Sequence, residues 1–254
     1  MIFLKSEEEI GRVRESCRLA VDTIKYLKQY VKAGTTTLQL DQLADRFIRD
    51  HSGIPSAKGY MGYPNSICCA VNETVVHGIP NRKPLKNGDI LALDVAVKKG
   101  GYHGDTAFTF IVGQGSDRVK NLLDVAKQAL YVGIEQTRPG NRLGDLGHAI
   151  QAFVESKGYS VVRAFCGHGI GVEFHEEPQV LHFGEPGTGQ RLQEGMTLTL
   201  EPMINEGTYE VVVLQDGWTA VTADGNFSAQ FEHTVAVRKH GSEILTVWDG
   251  LEEE

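Results

Sequence analysis

Apolar residues recur at spacings of three and four through Ile10, Val13, Cys17, Val21, Ile24, Leu27 and Val31, which predicts one long amphipathic helix. Ser6 and Glu9 stand in front of it at capping-box spacing, and Ala33-Gly34 ends it. A second helix opens at Thr37, carries Leu40, Leu43, Ala44, Phe47 and Ile48 on one side, and closes near Gly53. The period then changes. Residues 67–71 read as a strand, and 89–97 with the run up to Val112 read as two more, around Lys98-Lys99-Gly100-Gly101. Helical spacing returns over 117–138, broken by Pro139-Gly140, and over 143–157, ended by Gly158. The remainder predicts strands over 161–166, 196–200, 210–214, 218–222 and 231–237.

Helix, helix, strands is thus followed by helix, helix, strands. LKNGDILALD (85–94) aligns with LQEGMTLTLE (192–201) at one constant offset. Upstream, Gly34, Leu40, Phe47 and Ile48 align with Gly140, Leu146, Phe153 and Val154 within one residue of that offset. Asp105-Thr106 matches Glu232-His233 more loosely, after an insertion in the second half. The pattern predicts an α+β fold built from a duplicated unit, with halves of about 1–115 and 116–254 meeting about a pseudo-two-fold axis in a single domain.

Four carboxylates interrupt the apolar strands: Asp94 in Leu93-Asp94-Val95, Asp105 in His103-Gly104-Asp105-Thr106, Glu201 before Pro202, and Glu232 in Phe231-Glu232-His233-Thr234. If residues 98–101 form the hairpin loop, Val97 pairs with Tyr102 and Asp94 falls directly opposite Asp105. Cross-strand neighbours have Cβ atoms only ~4.5–5.5 Å apart, and like charges there repel. A buried pair of this kind needs positive charge beside it, and a duplicated pair doubles the need. His168 lies in Cys166-Gly167-His168-Gly169-Ile170-Gly171, where glycines leave room for close backbone approach. Alone it would read as a satisfied core histidine; beside four inward carboxylates it reads as a ligand. One imidazole and four carboxylates suit Mn²⁺, Fe²⁺ or Co²⁺ better than a structural zinc, and calcium would leave the histidine unexplained. Five side chains are many for one small ion and suit two, ~3.5–4 Å apart, that share bridging carboxylates. His77, before Gly78-Ile79-Pro80, and His175, in Phe174-His175-Glu176-Glu177-Pro178, remain to polarise a carbonyl, hold an oxyanion or meet a leaving amine.

Composition narrows the classes. The 254 residues are 41% hydrophobic and 23% charged, enough for a sizeable core and unlike a disordered chain. The net charge of −8 argues against a nucleic-acid substrate. Cys17, Cys68, Cys69 and Cys166 fit neither a disulfide framework nor a Cys-x-x-Cys zinc site. No secretory segment follows Met1, and no apolar run approaches the ~20 residues that span a bilayer, so a cytoplasmic protein without membrane contact is expected. The first helix carries Arg14, Arg18, Lys25, Lys28 and Lys32 opposite its apolar stripe; a solvated face is the simpler reading, a docking surface the other.

Val76-His77-Gly78-Ile79-Pro80, Leu93-Asp94-Val95, His103-Gly104-Asp105-Thr106, Gly167-His168-Gly169-Ile170-Gly171, Phe174-His175-Glu176-Glu177-Pro178, Glu201-Pro202-Met203 and Phe231-Glu232-His233-Thr234, in this order, resemble the type I methionine aminopeptidases over nearly the whole chain. The resemblance implies the pita-bread fold, with a curved antiparallel sheet and helices outside. It implies that Asp94, Asp105, His168, Glu201 and Glu232 bind two divalent ions (cobalt, manganese, iron or zinc), Asp105 and Glu232 bridging them. Aminopeptidases are already counted among two-metal enzymes. A metal-activated hydroxide would attack the carbonyl after the first methionine, with Glu201 shuttling the proton. His175 would stabilise the oxyanion, and His77 would contact the substrate backbone and the leaving nitrogen. Tyr60, Tyr63, Cys68, Phe174 and Trp218 would line the methionine pocket, where aromatic and sulfur groups favour a thioether; Ala57 holds a further family pocket position.

The activity so implied is removal of the initiator methionine from nascent proteins whose second residue is small and uncharged, by a cytoplasmic monomer. A ribosome would be the partner of any docking surface on the first helix. The chain lacks the helical insertion that marks type II enzymes. Ile2 is bulky, so by the family rule the chain would keep its own Met1. Two other readings exist. An Xaa-Pro peptidase of the same fold usually has a further N-terminal domain, for which a helix capped at Ser6 leaves no room. A non-catalytic pita-bread binding protein should have lost ligands, and all five are here.

Overall fold

The computed structural model describes residues 2–251, so Met1 and its retention lie outside the described residues. Four helices form where the 3.6-residue period placed them: α1 (Glu7–Lys28), α2 (Thr37–Asp50), α3 (Asp117–Gln136) and α4 (Leu143–Ser156). Ser6 Oγ accepts the Glu9 N–H and the Glu9 carboxylate accepts the Ser6 N–H, closing the expected capping box. Helix α1 stops short of Val31, because the Tyr30 and Val31 N–H groups donate to Leu27 and Lys28 O in a tighter turn. Thr36 and Gln39 cap α2 in the same reciprocal way.

Fifteen short strands fill the rest: β1 (Ile54–Pro55), β2 (Cys68–Val71), β3 (Thr74–Val76), β4 (Ile90–Lys99), β5 (Tyr102–Ile111), β6 (Ser160–Val161), β7 (Gly167–Gly169), β8 (Glu176–Val180), β9 (Thr197–Leu200), β10 (Met203–Asn205), β11 (Val211–Val213), β12 (Ala220–Thr222), β13 (Ser228–Gln230), β14 (His233–Arg238) and β15 (Gly241–Ile244). Strand β4 has β5 on one side and β1 and β2 on the other. The second half orders its main sheet β15-β14-β9-β7-β8, and three-stranded pieces β13-β10-β6 and β11-β12-β3 complete the curvature. The expected strand over 161–166 shrinks to β6, and the one over 231–237 breaks at Phe231-Glu232 between β13 and β14. Leu91, Leu93, Val95 and Val97 alternate along β4 and pack fully buried with Leu19, Ile24 and Leu27 of α1, which turns Asp94 to the opposite face. Among the described residues no helix is long and apolar enough to cross a membrane.

The duplication is written in backbone hydrogen bonds. Gly34 N–H donates to Leu85 O and Leu85 N–H to Thr35 O; Gly140 N–H donates to Leu192 O and Leu192 N–H to Asn141 O. Isolated bridges Thr36–Pro84 and Arg142–Arg191 sit beside them. This is the pita-bread arrangement.

The β4–β5 register differs from expectation. The loop is Gly100-Gly101 alone, with φ of 58° and 89°, and Lys99 pairs with Tyr102. Two adjacent residues of positive φ make the tight hairpin turn that glycine favours, and the strands continue through Lys98 and Lys99. Asp94 therefore faces Ala107, and Asp105 faces Ala96. The two aspartates are diagonal rather than directly opposite. A shift of two residues keeps them on one face.

The halves meet along β5. Glu232 N–H donates to Ala107 O at 2.9 Å. Around it, threonine hydroxyls take over the ladder: Thr106 Oγ1 donates to Glu232 O at 2.7 Å, and Thr234 Oγ1 donates to Asp105 O at 2.7 Å while accepting the Asp105 N–H. This seam sets Asp105 beside Glu232.

Candidate metal centre and substrate cavity

Asp94, Asp105 and Glu232 each bring one carboxylate oxygen within 4.8 Å of the others. His168 Nε2 lies 3.9 Å from Asp105 Oδ2 and 3.7 Å from Glu201 Oε1, beyond hydrogen-bond reach. Its Nδ1 is 2.8 Å from Gly169 O, which places the ring proton on Nδ1 and aims the Nε2 lone pair at the carboxylates. Burial pushes the imidazole down to about 3, so it is neutral, as a ligand must be.

The carboxylates shift the other way. Burial pushes Asp94 up to about 7, and burial reinforced by the charge of Asp94 pushes Glu201 up to about 8. Asp105 and Glu232 are raised well above the usual range, first by burial and then by the neighbouring carboxylates. Buried Asp105 Oδ1 and Glu232 Oε1 find no hydrogen-bond partner, and no lysine or arginine lines the cavity they face. Four crowded carboxylates, two orphaned oxygens and one neutral imidazole form a donor set that lacks its counter-charge. The set fits divalent cations.

Local sequence explains how each donor is held. A Cβ on Gly167 would lie 2.3 Å from Thr199 O, and one on Gly169 2.4 Å from Glu177 O, so these glycines let β7 squeeze between β9 and β8. Glu201 sits where β9 ends, because Pro202 has no N–H to continue the ladder. Its own N–H donates to His182 Nε2 at 3.1 Å, and its carboxylate accepts from Thr199 Oγ1 at 2.9 Å.

These donors line one wall of a cavity of about 340 Å³, and of the expected pocket and catalytic residues all but Ala57 line the rest: Tyr60, Tyr63, Cys68, His77, Phe174, His175 and Trp218. Tyr63 stacks edge-on against Trp218 at 5.1 Å, and its hydroxyl is spent on Gly78 O, leaving an apolar face inward. Cys68 pairs with Asp94 across β2 and β4, its thiol raised well above the usual range by burial first and by that aspartate second. His77 holds a left-handed φ of 58°, unusual outside glycine, and desolvation lowers its pKa. The His175 ring lies 4.1 Å from that of His168 and 4.8 Å from that of Tyr60; desolvation pushes it down to about 4.

Some residues escape sequence reasoning. Phe165, Cys166 and Met203 also line the cavity, and Met61 stands 82% exposed at its mouth. His182, Thr199 and Gln230 brace Glu201. Cys166 and Met203 fall within motifs that do not mark them as pocket residues; the others carry no local signal. Ala57 does not line the cavity; its carbonyl closes the turn into Tyr60. The basic face of α1 is partly occupied, since Arg14 pairs with Glu243 at 2.6 Å and Lys28 Nζ donates to Gly250 and Leu251 O. The C-terminal segment lies against that face.

The model of metallopeptidase family M24 matches residues 11–239. The chain belongs to this family. Within it, the chain is 48% identical to methionine aminopeptidase 1 of Bacillus subtilis over 97% of this chain and 99% of that protein. It is 49% identical to methionine aminopeptidase A of Synechocystis, covering 97% and 98%. The crystal structure of methionine aminopeptidase from Rickettsia prowazekii superposes with a TM-score of 0.96 at 46% identity, covering 97% of this chain and all of that one. The prolidase of Pyrococcus horikoshii shares the fold at 21% identity and a TM-score of 0.77.

Proposed function

We propose that this protein is a metal-dependent methionyl aminopeptidase that removes the initiator methionine from nascent chains whose second residue is small and uncharged. The observation that carries the reading is convergence: five candidate metal donors, two histidines whose pKa burial lowers and an aromatic pocket open into one cavity. Asp94, Asp105, His168, Glu201 and Glu232 would hold two divalent ions, the first four carboxylate and imidazole groups joined by Glu232 across the seam from Asp105. Such ions, when bound, acidify a water and polarise a carbonyl.

The side chains do the rest. Glu201, whose carboxylate faces the cavity, would take a proton from the attacking water and return it to the leaving amine. Neutral His175 donates an N–H to the oxygen that gains charge in the tetrahedral state, and His77 contacts the substrate backbone and the departing nitrogen. Tyr60, Tyr63, Cys68, Phe174 and Trp218 enclose the methionine side chain and exclude water from it.

The whole chain would act as a single catalytic domain with halves of about 1–115 and 116–254, as a monomer in the cytoplasm. Four free cysteines suit that reducing compartment. Since Arg14 and Lys28 are engaged within the chain, any ribosome contact through α1 would rest on Arg18 and Lys25, with Lys32 just past its end.

The test is methionine release from Met-Ala-Ser by chelator-stripped protein, with Mn²⁺, Fe²⁺ or Co²⁺ restored anaerobically and Met-Ile and Xaa-Pro peptides alongside. Metal-restored cleavage of Met-Ala-Ser alone supports the reading; cleavage of only the Xaa-Pro peptide, or silence on all three, refutes it. His175→Ala should slow turnover ~10²–10³-fold while keeping wild-type metal stoichiometry. Loss of the metal would instead make His175 a ligand.

A further inference from the structure

The turn that presents Phe174 and His175 is closed by groups the reaction does not use. Gly171 N–H donates to Glu173 O at 3.1 Å, and Glu173 N–H donates to Glu176 Oε1 at 3.3 Å. The chain doubles back there, and the two rings at its tip line the cavity. The other oxygen of Glu176 accepts from Lys5 Nζ in a short ion pair whose side chains are both only 5% exposed.

Lys5 is itself pinned. Its Nζ also donates to Phe3 O at 3.2 Å, and its backbone N–H donates to Gly195 O at 2.8 Å, in the turn just before β9. The pair lies flat on Gly171: a Cβ there would stand 2.6 Å from both Lys5 Cε and Glu176 Oε1. On the far side, Gly171 O accepts the His103 N–H at 2.7 Å, and the His103 ring stacks on Phe174 at 5.6 Å and 11°. Ser56 Oγ, 2.8 Å from His103 Nδ1, fixes that ring. The turn is thus gripped from both faces.

A buried ion pair is a poor source of net stability, because desolvation offsets its attraction and an apolar pair of equal volume often does as well. What it supplies is direction: an ammonium fixed at one end dictates where the carboxylate points. We infer that Lys5 is a positioning residue, which through Glu176 fixes the 171–176 turn and so sets Phe174 and His175 against the substrate. The inference rests on the proposed role of His175. Without Lys5, the Glu176 carboxylate would be buried and unpaired; it would turn toward water and release the Glu173 N–H that closes the turn.

The variants are Lys5→Met and the double Lys5→Met/Glu176→Met, in the full chain. Three readouts decide: melting temperature, amide hydrogen exchange over residues 171–176, and kcat and KM on Met-Ala-Ser with metal restored. Lys5→Met should melt lower and exchange roughly tenfold faster across the turn. The double variant, with no buried charge left, should recover most of the melting temperature yet keep the fast exchange. Its kcat should stay down about tenfold at unchanged metal stoichiometry. A double variant with wild-type exchange and wild-type kcat would overturn the inference, because the pair would then only fill space. If Lys5→Met does not accumulate, the double variant decides alone. A wild type inactive on methionyl peptides would refute the proposed activity, while the exchange data would still judge the turn.

Discussion

Removing the cation should make this protein unstable in a pH-dependent way, and the direction is opposite to ordinary acid denaturation. In the folded, metal-free chain, Asp94 holds its proton up to about 7, against an ordinary value of 3.8. Between those values the folded state binds a proton that the unfolded state has lost, so stability falls as pH rises through the window. The gap is worth about 4 kcal/mol for this one group. Glu201, raised to about 8 from 4.5, acts in the same direction, but protons shared within one cluster do not add. At ~2–4 °C per kcal/mol for a chain of this size, the metal-free protein should melt about 10 °C lower at pH 8 than at pH 5. Saturating Mn²⁺ should abolish that slope, since the cation replaces the protons and stabilises by mass action. Glu232→Gln sharpens the test by removing one orphaned carboxylate without changing the shape of the side chain. In chelator at pH 8 the variant should be more stable than wild type; with Mn²⁺ the order should reverse, because a proposed ligand is gone. Melting curves from pH 5 to 8, with chelator and with Mn²⁺, measure both. A metal-free wild type whose melting temperature is level or rises over that range would refute the reasoning, as would a variant less stable than wild type in chelator at pH 8.

Three further outcomes follow from the geometry. Burial pushes the Cys17 thiol up to about 12 and Cys68 and Cys69 well above the usual range, so a thiol reagent at pH 7.5 should modify half-buried Cys166 first and reach the other three only on unfolding; rapid labelling of Cys68 would contradict this. Gly167→Ala would drive a methyl into Thr199 O, costing about 1–3 kcal/mol and loosening the strand that carries His168, which denaturant titration and Mn²⁺ calorimetry would report together. Burial of Asp45 is outweighed by hydrogen bonds from Arg49, Ser66 and Lys58, which lower its pKa; its contribution, about 1 kcal/mol or less after solvent screening, is present above pH 4 and lost as pH falls. Asp45→Asn should therefore melt below wild type at pH 7 and converge with it near pH 2; a gap that persists in acid would mean the charge is irrelevant.

Periodicity located all four helices because each buries one long stripe, as α1 does with Ile10, Val13, Cys17 and Ile24. It failed where elements are too short for a period to show. Strands β10 and β13 have three residues each, and each forms because a neighbour already lies beside it. The hairpin register failed for a different reason: Lys98 and Lys99 look like turn residues, whereas the two glycines alone supply the positive φ that the turn needs. The candidate donors, His77, Phe174 and His175 were legible because each sits in a short motif, whereas Tyr60, Tyr63 and Trp218 came only with the family resemblance. The braces were not legible. His182 reaches Glu201 from 19 positions away, and His103 supports Phe174 from across a sheet, so only the folded chain brings them together.

The duplication explains why the charge collects where it does. Each half contributes an inward carboxylate from a strand end or centre, Asp94 from β4 and Glu201 after β9, at matching places in the repeat. Each also contributes one from the seam, Asp105 and Glu232, where β5 meets β13 and β14. A continuous ladder would need every backbone group in register along that seam. Thr106, Thr109 and Thr234 instead bond across it through their hydroxyls, which lets two strands approach although the gap at Phe231-Glu232 between β13 and β14 breaks the pairing. The break turns Glu232 toward Asp105 with an oxygen left over on each. Neither half alone gathers these donors, and the joined halves bury four carboxylates in a cavity that no lysine or arginine lines. A divalent cation bound there would couple folding to metal binding through the same seam.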